Sequence, residues 1–147
     1  MQFAFTWIEF SLVVCRTSGT ASADGFAALL EAPVSQPEFG PGVRVLADHS
    51  ELDASRLSAG DVERIAYTRA KTTRRMAMCT ALVVGSRSPV RYGLGRMFEA
   101  YVASQADDPV NVFETLDEGM AWLRSLDSAS PSEPRAEGGE VVEDLMK

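Results

Sequence analysis

A chain of 147 residues is long enough for one hydrophobic core and too short for two domains of ordinary size. With 46% hydrophobic and 24% charged residues it has the composition of an ordinary globular domain. The net charge of −7 argues against nucleic acid, which needs a cationic footprint, and against an anionic membrane surface. The charge is uneven: residues 127–147 carry −4 of it and residues 1–126 only −3.

Phe3–Thr6 and Phe10–Thr17 are two short β-rich runs, with a break expected near Trp7–Glu9. The second run is mostly apolar and β-branched, the pattern of a central strand. Ser22 is placed to cap a helix over Ala23–Ala32, with Asp24 in its positive first turn and Phe26, Leu29 and Leu30 inward. Residues 33–42, with three prolines and two glycines, read as a loop. Val43–Ala47 is the next strand, ending at Asp48-His49-Ser50, and Glu51–Leu57 a polar connector.

Ser58 and Asp61 have capping-box spacing before a helix running from about Ala59 to Arg75, with Val62, Ile65 and Ala66 inward. Met76–Val84 shows no polar alternation, so it reads as a strand buried on both faces. Ser88 and Pro89 open a helix to about Gln105, with Val90, Leu94, Met97, Phe98 and Tyr101 on its buried face. Val110–Phe113 is a short strand. Thr115 and Glu118 form a full capping box for a last helix, with Leu116, Met120, Leu123 and Leu126 inward. Beyond Leu126 the chain turns polar, acidic and rich in Pro, Gly and Ser, the composition of a disordered tail over 127–147. The order β-β-α-β-α-β-α-β-α implies a single α/β domain over 1–126, a mostly parallel sheet of four or five strands flanked by helices.

Cys15 and Cys79 lie in apolar runs and read as free core thiols. With one histidine in the chain, no metal set is expected. The N-terminus lacks the basic start of a secretory signal, and the longest apolar run is far too short to span a bilayer, so a cytoplasmic protein without stable membrane insertion is expected.

In open α/β sheets, ligands bind beyond the carboxyl ends of the strands. There the sequence presents Asp48-His49-Ser50 and the turn Gly85–Ser88 at a helix start, a setting that suits an anion. Tyr92 and Arg96 lie one turn apart on that helix, and Arg96 is placed to reach an anion or the carboxylate of Asp48. The candidate ligand crevice is therefore Asp48, Ser86, Arg87, Tyr92 and Arg96. Asp48, His49 and Ser50 are adjacent and project apart, so they do not make a triad. His49 reads as an ordinary loop residue. Gly93-Leu94-Gly95 does not fit a nucleotide loop and reads as close helix–sheet packing. Arg64, Arg69, Lys71, Arg74 and Arg75 make a basic helix, either a solvated face or a docking face for an acidic partner or for the chain's own acidic tail. A chain of this size has little spare interior, so no buried lipid pocket is expected.

The order of these pieces resembles the SpoIIAA-like family of STAS-type domains, often grouped with the CRAL-TRIO lipid-transfer fold. The residues that carry the resemblance are Ser18-Gly19, Pro37–Gly42, Val45–Asp48, Ala81–Val84, Tyr92–Glu99, Val110–Phe113 and Ala121–Leu123. It spans about residues 3–126. It implies a non-enzymatic regulatory module; together with the anion-suited turn at Gly85–Ser88, the leading expectation is a module without cofactors that acts through a protein partner or a small anionic ligand, with a homodimer as a further expectation. The family's anti-sigma factor antagonists are switched by phosphorylation of a serine in a D-S-S-G-like motif after a central strand. This sequence departs from that motif. Ser50, Ser55 and Ser58 are the candidate phosphosites near the corresponding place. The rival readings are a small enzyme using Asp48 or His49 as general base, and a dimerisation scaffold.

Overall fold

The computed structural model describes residues 1–73, 78–104 and 109–129. Its elements are β1 (Gln2–Glu9), β2 (Leu12–Thr20), α1 (Ala23–Glu31), a 3-10 turn (Ala32–Ser35), β3 (Arg44–Asp53), α2 (Ala59–Thr73), β4 (Cys79–Val83), α3 (Pro89–Ala103), β5 (Val110–Phe113) and α4 (Leu116–Ala129). One five-stranded sheet takes the strands in sequence order, β1-β2-β3-β4-β5. The β1–β2 pair is antiparallel and the other three pairs are parallel. Type and order of the main elements follow the sequence pattern.

Because each crossover moves to the next strand in the same direction, right-handed connections put α1, α2 and α3 on one face of the sheet. There α1 packs on α2 and α2 on α3, while α4 packs on β3, β4 and β5. The two faces are filled differently. On the α4 face, Leu12, Val14, Leu46, Ala81 and Val83 close around Leu123. Gly119 lets that helix approach: a Cβ there would lie 3.1 Å from Val83 and 3.4 Å from Ala81. On the other face Val13, Cys15, Val45 and Phe39 form a second cluster, with Phe5 and Trp7 packed edge-on to the Phe39 ring.

Local capping operates as the sequence suggests. Ser22 Oγ accepts from the Gly25 N–H at 2.9 Å. Ser58 and Asp61 cap each other reciprocally at 3.0 Å, as do Thr115 and Glu118 at 3.2 and 3.3 Å. Replacing Thr115 with Ala removes one side of the last box. It is expected to cost about 1 kcal/mol, read as a lowered urea midpoint at unchanged slope.

Several boundaries differ for tertiary reasons. β1 continues through Trp7 to Glu9, since Trp7 has Phe39 to pack on; the chain reverses at Phe10 and Ser11, the latter at φ 63°. Phe10 is left 93% exposed. Part of the expected loop winds into the 3-10 turn. β4 is shorter than the apolar run that suggested it, starting at Cys79. Val90 and Leu116 are exposed: each stands in the first turn of its helix, before the helix reaches the sheet. Arg69 is buried inside the α2 contact, not displayed on a basic face. Arg74 and Arg75 lie outside the described residues. α4 continues to Ala129, and residues 130–147, most of the expected tail, also lie outside them.

Candidate functional site

The interior is not solid, contrary to expectation for a chain of this size. A cavity of about 120 Å³, partly open to solvent, lies between the sheet and α1–α3, with almost wholly apolar walls. Its origin is visible in the sheet register. Cys15, Ala47 and Leu82 stand side by side on β2, β3 and β4. Two of the three are small, so the middle of this face is shallow. Above it, Phe26 and Leu29 of α1, Val62 and Ile65 of α2, and Leu94 and Phe98 of α3 form the roof. Gly95 also lines the space, and a Cβ there would lie 3.1 Å from Leu82 and 3.2 Å from Val84. The reading of this glycine as a close-packing residue is supported. Gly93 has no such role, since a Cβ at that position would meet nothing within 4 Å.

Few polar groups reach the cavity. Arg69 donates to the Met78 carbonyl at 3.3 Å and to Thr80 Oγ1 at 3.1 Å. Arg91 donates to the carbonyls of Val84 at 2.6 Å and Leu52 at 3.3 Å, tying α3 to β3 and to the residue that follows β4. His49 also lines the space, although the residue is only 8% exposed. Its Nδ1 lies 2.7 Å from Thr17 Oγ1, and the Phe26 ring packs edge-on at 5.4 Å. Burial holds its pKa down at about 4, against the opposing pull of Asp48, so the imidazole is neutral at pH 7. The Cys15 thiol in the floor is pushed up to about 12 by burial and by the charge of Asp48. It stays protonated and is a poor nucleophile.

β3 explains both His49 and Asp48. The strand runs on to Asp53, well past the expected end at Ala47. Its pairing with β4 stops at Asp48–Val83, but β2 accompanies it to Thr20–Asp53. Asp48, His49 and Ser50 are therefore strand residues, and alternation sends neighbouring side chains to opposite faces. His49 follows Val45 and Ala47 onto the cavity side, so the loop reading of this histidine is corrected. Asp48 is buried, with Oδ2 3.4 Å from Arg16 Nε. Its Oδ1 accepts from the Ser50 N–H at 3.1 Å and hydroxyl at 2.6 Å.

The other candidate crevice residues are only partly gathered. Gly85, at φ 80°, brings the β4–α3 turn against Ser50: a Cβ there would lie 3.0 Å from the serine side chain. Ser86, Arg87 and Tyr92 are exposed, and Arg87 has φ 67°. Arg96 does not pair with Asp48. Its Nε lies 3.4 Å from Glu99 Oε1 one turn along α3, where an i,i+3 partner is always within reach. Of the candidate phosphosites, Ser50 is bonded to Asp48, Ser55 is exposed with its N–H on Asp53 at 3.0 Å, and Ser58 caps α2. Arg91 and the cavity floor were not among the residues expected from sequence. The available signal was the small pair Cys15 and Ala47 inside two otherwise bulky strands.

Among the described residues no cluster of three His, Cys, Asp or Glu side chains is placed to hold a metal ion, and no helix is long and apolar enough to cross a membrane. No protein-family model matches the chain, and no curated protein matches it. A solved structure does: that of the Bacillus cell fate determinant SpoIIAA in the phosphorylated form. It covers 84% of this chain and 100% of its own, with 13% sequence identity and a TM-score of 0.43.

Proposed function

We propose that this chain is a non-enzymatic binding module whose ligand is a compact apolar molecule held in the cavity between the sheet and α1–α3. The observation that carries this reading is the cavity itself, apolar, partly open and walled by three helices and the sheet. Ligand sites in small domains are concave and mostly apolar, with few polar groups. In size the space compares with an apolar cavity of about 150 Å³ that binds benzene. It does not take a whole lipid. The non-enzymatic part is supported by the chemistry of the lining: a thiol held protonated and a weakly basic imidazole leave no activated nucleophile or strong base there.

Toluene tests the reading directly. Saturating toluene is expected to raise the melting temperature and to shift the amide resonances of residues around Ala47 and Leu94. Ala47→Leu, which extends a side chain into the cavity, is expected to fold and to abolish both responses. Absence of any response in the parent protein sinks the proposal. The crevice of Asp48, Ser86, Arg87, Tyr92 and Arg96 is the second reading, for a small anion. It is supported by the exposure of Ser86, Arg87 and Tyr92 at the start of α3. It requires Arg96→Ala to weaken inorganic phosphate or sulfate binding without lowering stability.

A further inference from the structure

We infer that His49 Nε2 is a hydrogen-bond acceptor inside the cavity and that the ligand is an apolar molecule of about benzene size carrying a hydroxyl group. This rests on the cavity reading above and names the chemistry of its occupant.

Thr17 is buried and its hydroxyl has one proton to give. It faces two acceptor positions, His49 Nδ1 at 2.7 Å and the Asp48 carbonyl at 3.4 Å. We take both contacts as hydrogen bonds, which assigns Nδ1–H as donor to Thr17 Oγ1 and the threonine proton to the Asp48 carbonyl; the reverse tautomer would keep the 2.7 Å contact alone. The neutral ring then carries its proton on Nδ1, which leaves Nε2 with a bare lone pair.

Nε2 has no hydrogen-bond partner among the described residues. It is also not sealed in protein, since it is not one of the fully enclosed side-chain atoms that lack a partner. The residue is more than nine-tenths buried and lines the cavity. A lone acceptor on an otherwise apolar wall is costly to desolvate without a partner and rewards a ligand that brings a donor. A hydroxyl supplies it. A carboxylate does not, because it brings only acceptors to this nitrogen. The imidazole remains neutral at pH 7 and offers no ion pair.

Phenol and toluene make the test, since they differ only by hydroxyl against methyl. His49 is the only histidine in the chain, so its imidazole nitrogens are identified in a ¹⁵N spectrum without ambiguity. At pH 7 the free protein is expected to show protonated Nδ1 and lone-pair Nε2. Phenol is expected to move the Nε2 signal and toluene to leave it in place. His49→Leu is expected to weaken phenol about tenfold, with toluene affinity held within about twofold. If toluene binds and Nε2 is protonated, or ignores phenol, the inference is wrong while the cavity reading stands. If toluene does not bind, the cavity reading falls and takes the inference with it. Should His49→Leu fail to fold, the ¹⁵N result on the parent protein decides by itself.

Discussion

Acidification from pH 6.5 to pH 4 is expected to cost this fold roughly 3 kcal/mol through His49 alone. In the unfolded chain the imidazole takes a proton near its ordinary value of 6.5; in the folded chain burial delays this to about 4. Between those values the unfolded state binds the extra proton, so stability falls as the pH falls. Above 6.5 both states are neutral and the residue imposes no slope. Asp48 works against the effect by favouring the imidazolium, but burial outweighs it. Asp53 and Asp61 are held below the ordinary carboxylate value by hydrogen bonds from Ser55 and Ser58, so their contribution is lost only below about 3.8, outside this window. Urea melts at half-unit intervals measure the slope. His49→Gln, which does not titrate, is expected to flatten it. A parent protein with level stability from 6.5 to 4 contradicts the buried, neutral placement of this ring.

Leu123→Ala is expected to destabilise the domain by about 2–5 kcal/mol. Leu123 is 0% exposed and packs α4 on Leu46, Ala81 and Val83. It is central to the face that α4 covers among the described residues, where the close approach at Gly119 leaves the backbone little room to collapse into the gap. Leu123→Met, which nearly conserves volume, is expected to cost less than about 1.5 kcal/mol. Denaturant unfolding compares the two variants. An alanine variant as stable as the methionine one means that α4 does not cover this face.

Each of these two effects belongs to one face of the sheet, and the faces differ in how they are filled. Gly119 lets α4 settle onto a row of Val and Leu side chains, so that side is dense. Across the sheet, Cys15 and Ala47 stand together beneath three helices whose long side chains meet above them. The shortfall in side-chain volume becomes the cavity.

Local pattern alone accounts for the element types and their order. The near-continuous apolar run of β2, the 3–4 spacing in α2 and the capping pairs Ser58–Asp61 and Thr115–Glu118 act over a few residues, so the sequence displays them openly. The mostly parallel α/β sheet follows, because alternating strands and helices leave few other ways to bury their apolar faces. Where elements end was less legible. β3 passes Ala47 because β2 stays alongside it, and no local signal reports a neighbouring strand. The site depended on tertiary structure most of all. Whether Asp48 meets Arg16 or Arg96, whether Arg69 faces solvent or Met78, and whether two small residues stand in one row are questions of register and helix rotation. They bring together residues separated along the chain, 9 positions apart for Arg69 and Met78 and 32 for Arg16 and Asp48. His49 shows the division most clearly: its identity as the one titratable ring near neutral pH is read directly from the chain. Its neutrality, its bond to Thr17 and its place on a cavity wall arise only when β2, β3 and α1 enclose it and exclude water.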